Sequence, residues 1–333
     1  MLISLCVIAL NEEKTIEHLL NDIKKQSFPH SSIQLILVDS CSQDDTKKIM
    51  NEFFENSDFF DIKVLDNIKK KQAAGWNVAI QNAIGDVIIR VDAHASIPTD
   101  FIEKNIKVLE SGEDISGGKR PNILVNSTNW TELLLTAESS MFGSSIAPYR
   151  KSEEKKYVNS MFHAAYRKEV FNNVGLFNEK LGRTEDNELH YRMRKAGYKF
   201  CYSPEIVSYQ HVRSSLKKML KQKFLNGYWI GLTLGVCPRC LSLYHFVPAS
   251  FVLALIVCSI ISLYTPFFIL LLLALYFSFA ILMSFFSLKQ TKKNSLVLIL
   301  LPFIFFSLHF FYGIGTIIGM LAYPFKRKSL SLN

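Results

Sequence analysis

The sequence predicts an α/β domain built on a mainly parallel, doubly wound, Rossmann-like sheet, followed by a C-terminal transmembrane helical region. Three observations carry the prediction. Short apolar runs alternate with stretches of amphipathic helical spacing through residues 2–91. Charge then shifts along the chain: residues 1–116 carry 12 Lys and Arg against 19 Asp and Glu, residues 117–240 carry 20 against 10, and residues 241–333 carry six basic residues and no acidic one. That last part also holds three apolar stretches, at 246–264, 267–288 and 296–322, each near the ~20 residues that a membrane helix needs.

Residues 2–10 read as a buried strand. They lack a basic leader and run into Asn11-Glu12-Glu13 without a cleavage site, so a strand is expected here rather than a signal peptide. From Glu12 to Gln26, Ile16, Leu19, Leu20 and Ile23 recur at helical spacing. Leu35–Val38 is the next strand, with a helix near 44–54; Ile62–Leu65 follows, with a helix near 72–83; Val87–Val91 is a further buried strand. In such sheets ligands bind beyond the carboxyl ends of the strands. Asn11-Glu12, Asp39-Ser40 and Asp92-Ala93-His94 occupy those places. The boundaries expected are a folded domain over 1–230, changing character near 116, and a membrane region over 231–333 with two to three crossings. Lys289–Lys293 and Lys326-Arg327-Lys328 both read as cytoplasmic, so the third stretch is expected to be re-entrant or interfacial near Gly313 and Gly315.

The basic excess lies just before and within the apolar tail, where an anionic leaflet attracts Lys and Arg. No nucleic-acid motif accompanies it, so nucleic acid is not expected as a partner. Six scattered cysteines fit a reducing compartment. Cys237-Pro-Arg-Cys240 lacks a second ligand pair and receives no role. The sequons at Asn126 and Asn129 read as chance occurrences.

Three carboxylate-bearing segments can carry chemistry. Asp92 ends an apolar strand, and His94 projects toward the same side two residues on, so the two can hold a divalent ion or simply form a solvated turn. Glu185 and Asp186 precede a helix over Leu189–Lys195; they either complement its dipole or supply a general base. Asp39 either accepts a hydrogen bond from a nucleobase or caps the turn after its strand.

The ordered series resembles the family-two glycosyltransferases with the GT-A fold. Ser4 through Asn11-Glu12-Glu13 looks like that family's opening strand and turn, and Ile36 through Thr46 like its nucleotide-binding strand. Ala74-Gly-Trp-Asn77 through Gly85-Asp86 precedes the metal motif, and Ala165 through Asn178 leads into Glu185-Asp186 and Tyr191–Tyr198. The resemblance spans about residues 2–231. The family writes its metal motif Asp-x-Asp; here it reads Asp92-Ala93-His94, a form similar to the succinoglycan-biosynthesis glucosyltransferase branch.

The resemblance implies a nucleotide-sugar half over 1–116 and an acceptor half over 117–230. Asn11, Glu12, Asn77 and Asp92 would belong to the donor pocket, and Asp39 would read the base. Asp92 and His94, with His211 as a further contact, would hold Mg²⁺ or Mn²⁺ on the diphosphate. Asp186, beside Glu185, would be the base in an inverting transfer of one sugar from a nucleotide-diphosphate sugar, UDP-linked, to a lipid-linked polyprenyl diphosphate acceptor. The catalytic domain would be cytoplasmic on a multi-pass inner-membrane protein. A polyprenyl-phosphate or processive transferase, and a membrane-tethered nucleotide-sugar-binding protein, are the alternatives.

Overall fold

The computed structural model describes residues 1–55, 57–124, 127–143, 152–211, 215–291 and 299–330. Asn126, Arg213 and the Lys292-Lys293 pair lie outside the described residues. The chain divides into two compact units: Met1–Pro121 with the described residues of 148–211, and the described residues of 122–147 with those of 212–333.

In the first unit, β1 (Ile3–Ala9), β2 (Ile33–Asp39), β3 (Asp61–Asp66) and β4 (Val87–Asp92) alternate with α1 (Ile16–Lys24), α2 (Thr46–Glu55) and α3 (Gln72–Gln81), as the periodicity predicts. β5 (Ala95–Ser96), α4 (Phe101–Glu110) and β6 (Ile115–Lys119) follow, then β8 (Lys156–Val158), β9 (Ala165–Arg167), α6 (Lys168–Val174), α7 (Glu185–Lys195), β10 (Phe200–Val207) and β11 (Tyr209–His211). The large sheet runs β3-β2-β1-β4-β9-β6-β10-β8. Its β3-β2-β1-β4 half is parallel throughout. β9 then enters antiparallel to both β4 and β6, so the sheet is mixed where it passes the site. Three residues are too few for a readable period.

β1 is the central strand of the parallel half, and its Ile3, Leu5 and Val7 are fully buried in the main core with Leu35 and Leu37 of β2 and Ile89 and Val91 of β4. Burial on both faces explains the near-continuous apolar sequence of these strands. Gly85, just before β4, passes so close to β1 that a Cβ there would lie 2.6 Å from Ser4 N. The turn that starts β4 therefore admits no side chain. α7 begins at Glu185, so the Glu185-Asp186 pair sits within the helix's first turn.

The second unit contains the two-residue β7 (Asn122–Ile123), α5 (Asn129–Ser139), α8 (Leu216–Leu234), α9 (Val247–Ile261), α10 (Phe267–Thr291) and α11 (Leu301–Leu330). Thr128 caps α5, accepting at Oγ1 from the Thr131 N–H at 3.1 Å. Three helical segments, Leu243–Ile261, Phe267–Lys289 and Leu301–Leu330, are long and apolar enough to cross a membrane. Leu253, Ile260, Leu270 and Phe285 are exposed on them, a surface that suits lipid rather than water. His309 of α11 is satisfied inside the bundle, between Phe142 O at 2.6 Å and Tyr276 Oη at 2.8 Å.

α11 is one continuous helix through Gly313 and Gly315, which corrects the re-entrant half of the expectation of a re-entrant or interfacial segment there. Those glycines serve close packing instead. A Cβ on Gly315 would stand 2.1 Å from Phe224 O, and one on Gly319 2.1 Å from Tyr228 O. The approach is reciprocal: a Cβ on Gly231 of α8 would stand 2.2 Å from Thr316 O. Small residues at four-residue spacing bring the two backbones together, as in membrane helix pairs. Residue 230 lies within α8, inside this contact.

Gly231→Leu should therefore destabilise the detergent-solubilised protein by at least about 2 kcal/mol, read as a fall in its melting temperature. Leu270→Ile, on an exposed surface, should leave the melt unchanged.

Candidate active site

Beyond the carboxyl ends of β1 and β2, the loops fasten each other. The Asn11 N–H donates to Ser42 Oγ at 2.9 Å, and Asn11 Oδ1 accepts from the Gln43 N–H at 2.8 Å. Asn11 adopts φ +55°, a left-handed conformation that Asn tolerates better than most residues. The Glu12 N–H donates to Thr46 Oγ1 at 2.8 Å, and Glu12 Oε1 lies 3.3 Å from His94 Nδ1. Asp39 is buried and accepts from the Ser42 N–H at 3.1 Å through Oδ2 and 3.3 Å through Oδ1. It thus caps the turn after its strand, and these bonds do not test the nucleobase contact.

Asn77 stands on α3 and spends its amide on the segment before α7. Its Nδ2 donates to Phe177 O at 2.9 Å and Glu179 Oε1 at 3.1 Å, and its Oδ1 accepts from the Phe177 N–H at 2.9 Å. Arg192 holds the same segment from α7, donating to Val174 O and Leu176 O, each at 2.6 Å, while Glu188 pairs with its guanidinium at 2.7 Å.

The end of β4 carries two charged groups of opposite sign. Asp92 Oδ2 lies 3.1 Å from His163 Nε2, and His163 Nδ1 lies 2.9 Å from Ser208 Oγ. Burial lowers the His163 pKa against the pull of Asp92. A neutral ring that donates from Nε2 and accepts the Ser208 hydroxyl at Nδ1 satisfies every partner. Burial opposes the Asp92 charge as well, but the His163 hydrogen bond, with His94 and Arg120 nearby, outweighs it and holds that carboxyl well below the usual range. His163 has φ +47°, a strained conformation for a residue of its size.

Arg90, two residues earlier, turns to the Glu185-Asp186 pair. Its Nη1 donates to Asp186 Oδ1 at 3.0 Å, and its guanidinium lies 4.3 Å from the Trp76 ring centre and 4.4 Å from that of Phe177. Glu185 is buried, with Oε2 lacking a hydrogen-bond partner among the described residues. Burial first, then the charge of Asp186, pushes its carboxyl up to about 7. On the same helix, burial drives His190 down to about 4, between Ser160 Oγ at 2.9 Å and Tyr166 Oη at 3.2 Å.

His211, on β11, faces Ser96 of the paired β5, with Nε2 3.1 Å from Ser96 Oγ. Its Nδ1 is buried without a hydrogen-bond partner among the described residues. Burial, then the charge of His94, lowers its pKa. A neutral imidazole fixed through one nitrogen and free at the other is chemically suited to a metal ion. Among the described residues no three His, Cys, Asp or Glu side chains form a ready metal cage.

Sequence reasoning missed Arg90 and His163. A charged residue inside the apolar run Val87–Val91 was the available signal for Arg90. His163 offered none.

A mixed sheet with acidic residues at the carboxyl ends of β2 and β4, faced by a carboxylate pair on a following helix, defines a GT-A transferase architecture. The sequence matches Glycosyl transferase family 2 over residues 4–175, and the chain belongs to that family; it is a glycosyltransferase. It is 29% identical over 234 residues to the dolichyl N-acetyl-α-D-glucosaminyl phosphate 3-β-D-2,3-diacetamido-2,3-dideoxy-β-D-glucuronosyltransferase of Methanococcus voltae, covering 69% of this chain and 73% of that protein. Succinoglycan biosynthesis protein ExoA of Rhizobium meliloti is also 29% identical, over 68% of each chain. The solved mannosyltransferase PcManGT of Pyrobaculum calidifontis, in complex with GDP-Man and Mn²⁺, shares the fold with a TM-score of 0.60 at 16% identity, over 96% of this chain and 86% of that one.

The raised Glu185 carboxyl has a signed consequence for stability. Between about 4.5 and about 7 the unfolded chain releases this proton while the folded chain keeps it. Its contribution is thus complete below about 4.5 and lost as pH rises through about 7. Glu185→Gln removes that loss, so the variant should melt higher relative to wild type at pH 8 than at pH 4.5 in parallel thermal scans.

Proposed function

We propose that this protein transfers a single sugar, with inversion, from a UDP-linked donor to a membrane lipid-linked acceptor of the polyprenyl diphosphate class, in polysaccharide or glycoconjugate biosynthesis. Residues 1–230 are the glycosyltransferase domain and 231–333 the membrane region, with the catalytic domain cytoplasmic on a multi-pass inner-membrane protein. The observation that carries the reading is the buried Glu185-Asp186 pair, one member fastened to Arg90 and the other with its carboxyl raised to about 7. A carboxylate so placed can accept a proton near neutral pH.

Asn11 and Glu12 line the nucleotide pocket and Asp39 meets the base. Asn77 shapes that pocket by holding Phe177 and Glu179. Asp92, with His94 and His211, would hold Mg²⁺ or Mn²⁺, which offsets charge on the departing diphosphate. The Glu185-Asp186 pair takes the acceptor hydroxyl proton as its oxygen bonds to the anomeric carbon and the nucleoside diphosphate leaves.

A lipid-linked acceptor is supported by the second unit. Leu216, Leu220, Phe224 and Phe311 line an apolar groove of about 440 Å³ edged by Lys217 and Lys221. An isoprenoid chain matches the floor, and a phosphate the two lysines one turn apart. The named acceptor of the Methanococcus relative, a dolichyl phosphate sugar, is likewise a sugar carried on an isoprenoid lipid through phosphate, a monophosphate in that case.

Purified membranes incubated with a panel of nucleotide sugars and lipid-linked acceptors, read by mass spectrometry, test the reading; transfer to none of them refutes it. Asp186→Asn should lower transfer by roughly 10²-fold or more while donor binding, measured by calorimetry, stays within about twofold. EDTA should suppress turnover and Mn²⁺ or Mg²⁺ restore it; full activity in EDTA removes the metal role assigned to Asp92, His94 and His211.

A further inference from the structure

We propose that Arg90 is a positioning residue for the transfer step: it fixes Asp186 in place and sets the pH range in which the Glu185-Asp186 pair can accept a proton. The inference rests on the assignment of that pair as the base.

The geometry is that of a built support. Arg90 projects from β4, a strand otherwise made of buried apolar residues and Asp92, and is itself buried. Its guanidinium contacts the rings of Trp76 of α3 and of Phe177, with both ring centres within 4.4 Å. Stacking on aromatic rings suits arginine's planar, weakly hydrated cation and would not suit the compact ammonium of lysine. The rings leave the edge of the fork to aim at Asp186, 96 residues further along the chain, at 3.0 Å. Phe177 is held in turn by both polar ends of the Asn77 amide. Each support is itself supported, so Arg90 has little freedom to turn elsewhere.

Any close ion pair shifts the titration of its carboxylate, whether its role is structural or catalytic. Here the neighbours of the carboxylate pair are arranged so that Arg90 supplies a fixed charge. His190, on the same helix, is neutral at physiological pH because burial lowers it, and Tyr166 of β9 stays protonated because burial raises it. Arg183 acts on Glu185 from just before the helix. Arg90 opposes the combined effect of burial and mutual repulsion that drives the Glu185 carboxyl upward. Without it, two buried carboxylates side by side would hold a proton to higher pH and be blocked as a base. With it, one negative charge is always matched and the pair stays open to a proton from substrate.

The test compares Arg90→Met, Arg90→Lys and Asp186→Asn with wild type in purified membranes, following kcat and KM for donor across pH 5 to 9, with a thermal melt for each variant. Arg90→Met should lower kcat by roughly 10²-fold, leave KM for donor within about twofold, and move the acid limb of the kcat profile up by about one pH unit or more. Arg90→Lys keeps the charge without the stacked fork, so it should recover part of the rate and most of the acid-limb position. If Arg90→Met does not fold, Arg90→Lys carries the test: wild-type kcat and an unshifted acid limb in that variant overturn the proposal. An Arg90→Met enzyme whose acid limb coincides with wild type overturns it too, whatever its rate. Wild-type turnover by Asp186→Asn refutes the base assignment itself. Inactive Asp186→Asn beside unshifted Arg90 variants refutes only the role of Arg90.

Discussion

A guanidinium inside a central strand must find a counter-charge, and the arrangement around the site follows from how Arg90 finds one. Removing a cation from water costs several kcal/mol unless it is paired and its hydrogen-bond geometry is good. The pairing here draws on four parts of the first unit at once: β4 supplies Arg90, α3 supplies Trp76 and Asn77, the segment before α7 supplies Phe177, and α7 supplies Asp186. Deleting one partner of such a pair strands the other, at about 3–5 kcal/mol. The first turn of α7 is consequently fixed against the carboxyl end of β4. That places the carboxylate pair on the same strand end that carries Asp92.

The same strand end shows a second device of the same kind. Asp92 is held by a neutral His163, which is fixed from behind by Ser208 and sits in a strained backbone conformation. Strain of this sort persists when surrounding contacts over-determine it, and it collects at functional positions. Arg90 and Asp92 project from one strand only two residues apart, yet one is paired with a carboxylate and the other is hydrogen-bonded by a neutral imidazole.

The second unit obeys a different constraint. α8 and α11 associate through backbone approach at Gly227, Gly231, Gly315 and Gly319, the small-residue packing that membrane helix pairs also use. Polar groups are satisfied within the bundle: His309 lies between Phe142 O and Tyr276, and Lys223 pairs with Glu138 at 3.1 Å. Gly315, one of the two glycines at which a re-entrant or interfacial segment was expected, instead lets α11 approach α8 closely.

The local period was enough to read β1 to β4 and α1 to α3, because each of those elements buries a complete face and its apolar spacing records which one. Charge distribution and three apolar stretches of spanning length announced a tail with three candidate spans. The positions of Asn11, Glu12, Asp39 and Asp92 at strand ends also followed from the sequence, since loop placement in an α/β sheet is a topological rule. What no local signal contains is the choice of partner across the sheet. The insertion of β9 antiparallel between β4 and β6, the contact of Arg90 with Asp186 over 96 residues and that of Asp92 with His163 over 71 were decided only by the tertiary structure. Burial makes those contacts strong and pushes the Glu185 carboxyl up to about 7, and burial of a polar group is a property of the assembled sheet and helices rather than of any stretch of chain.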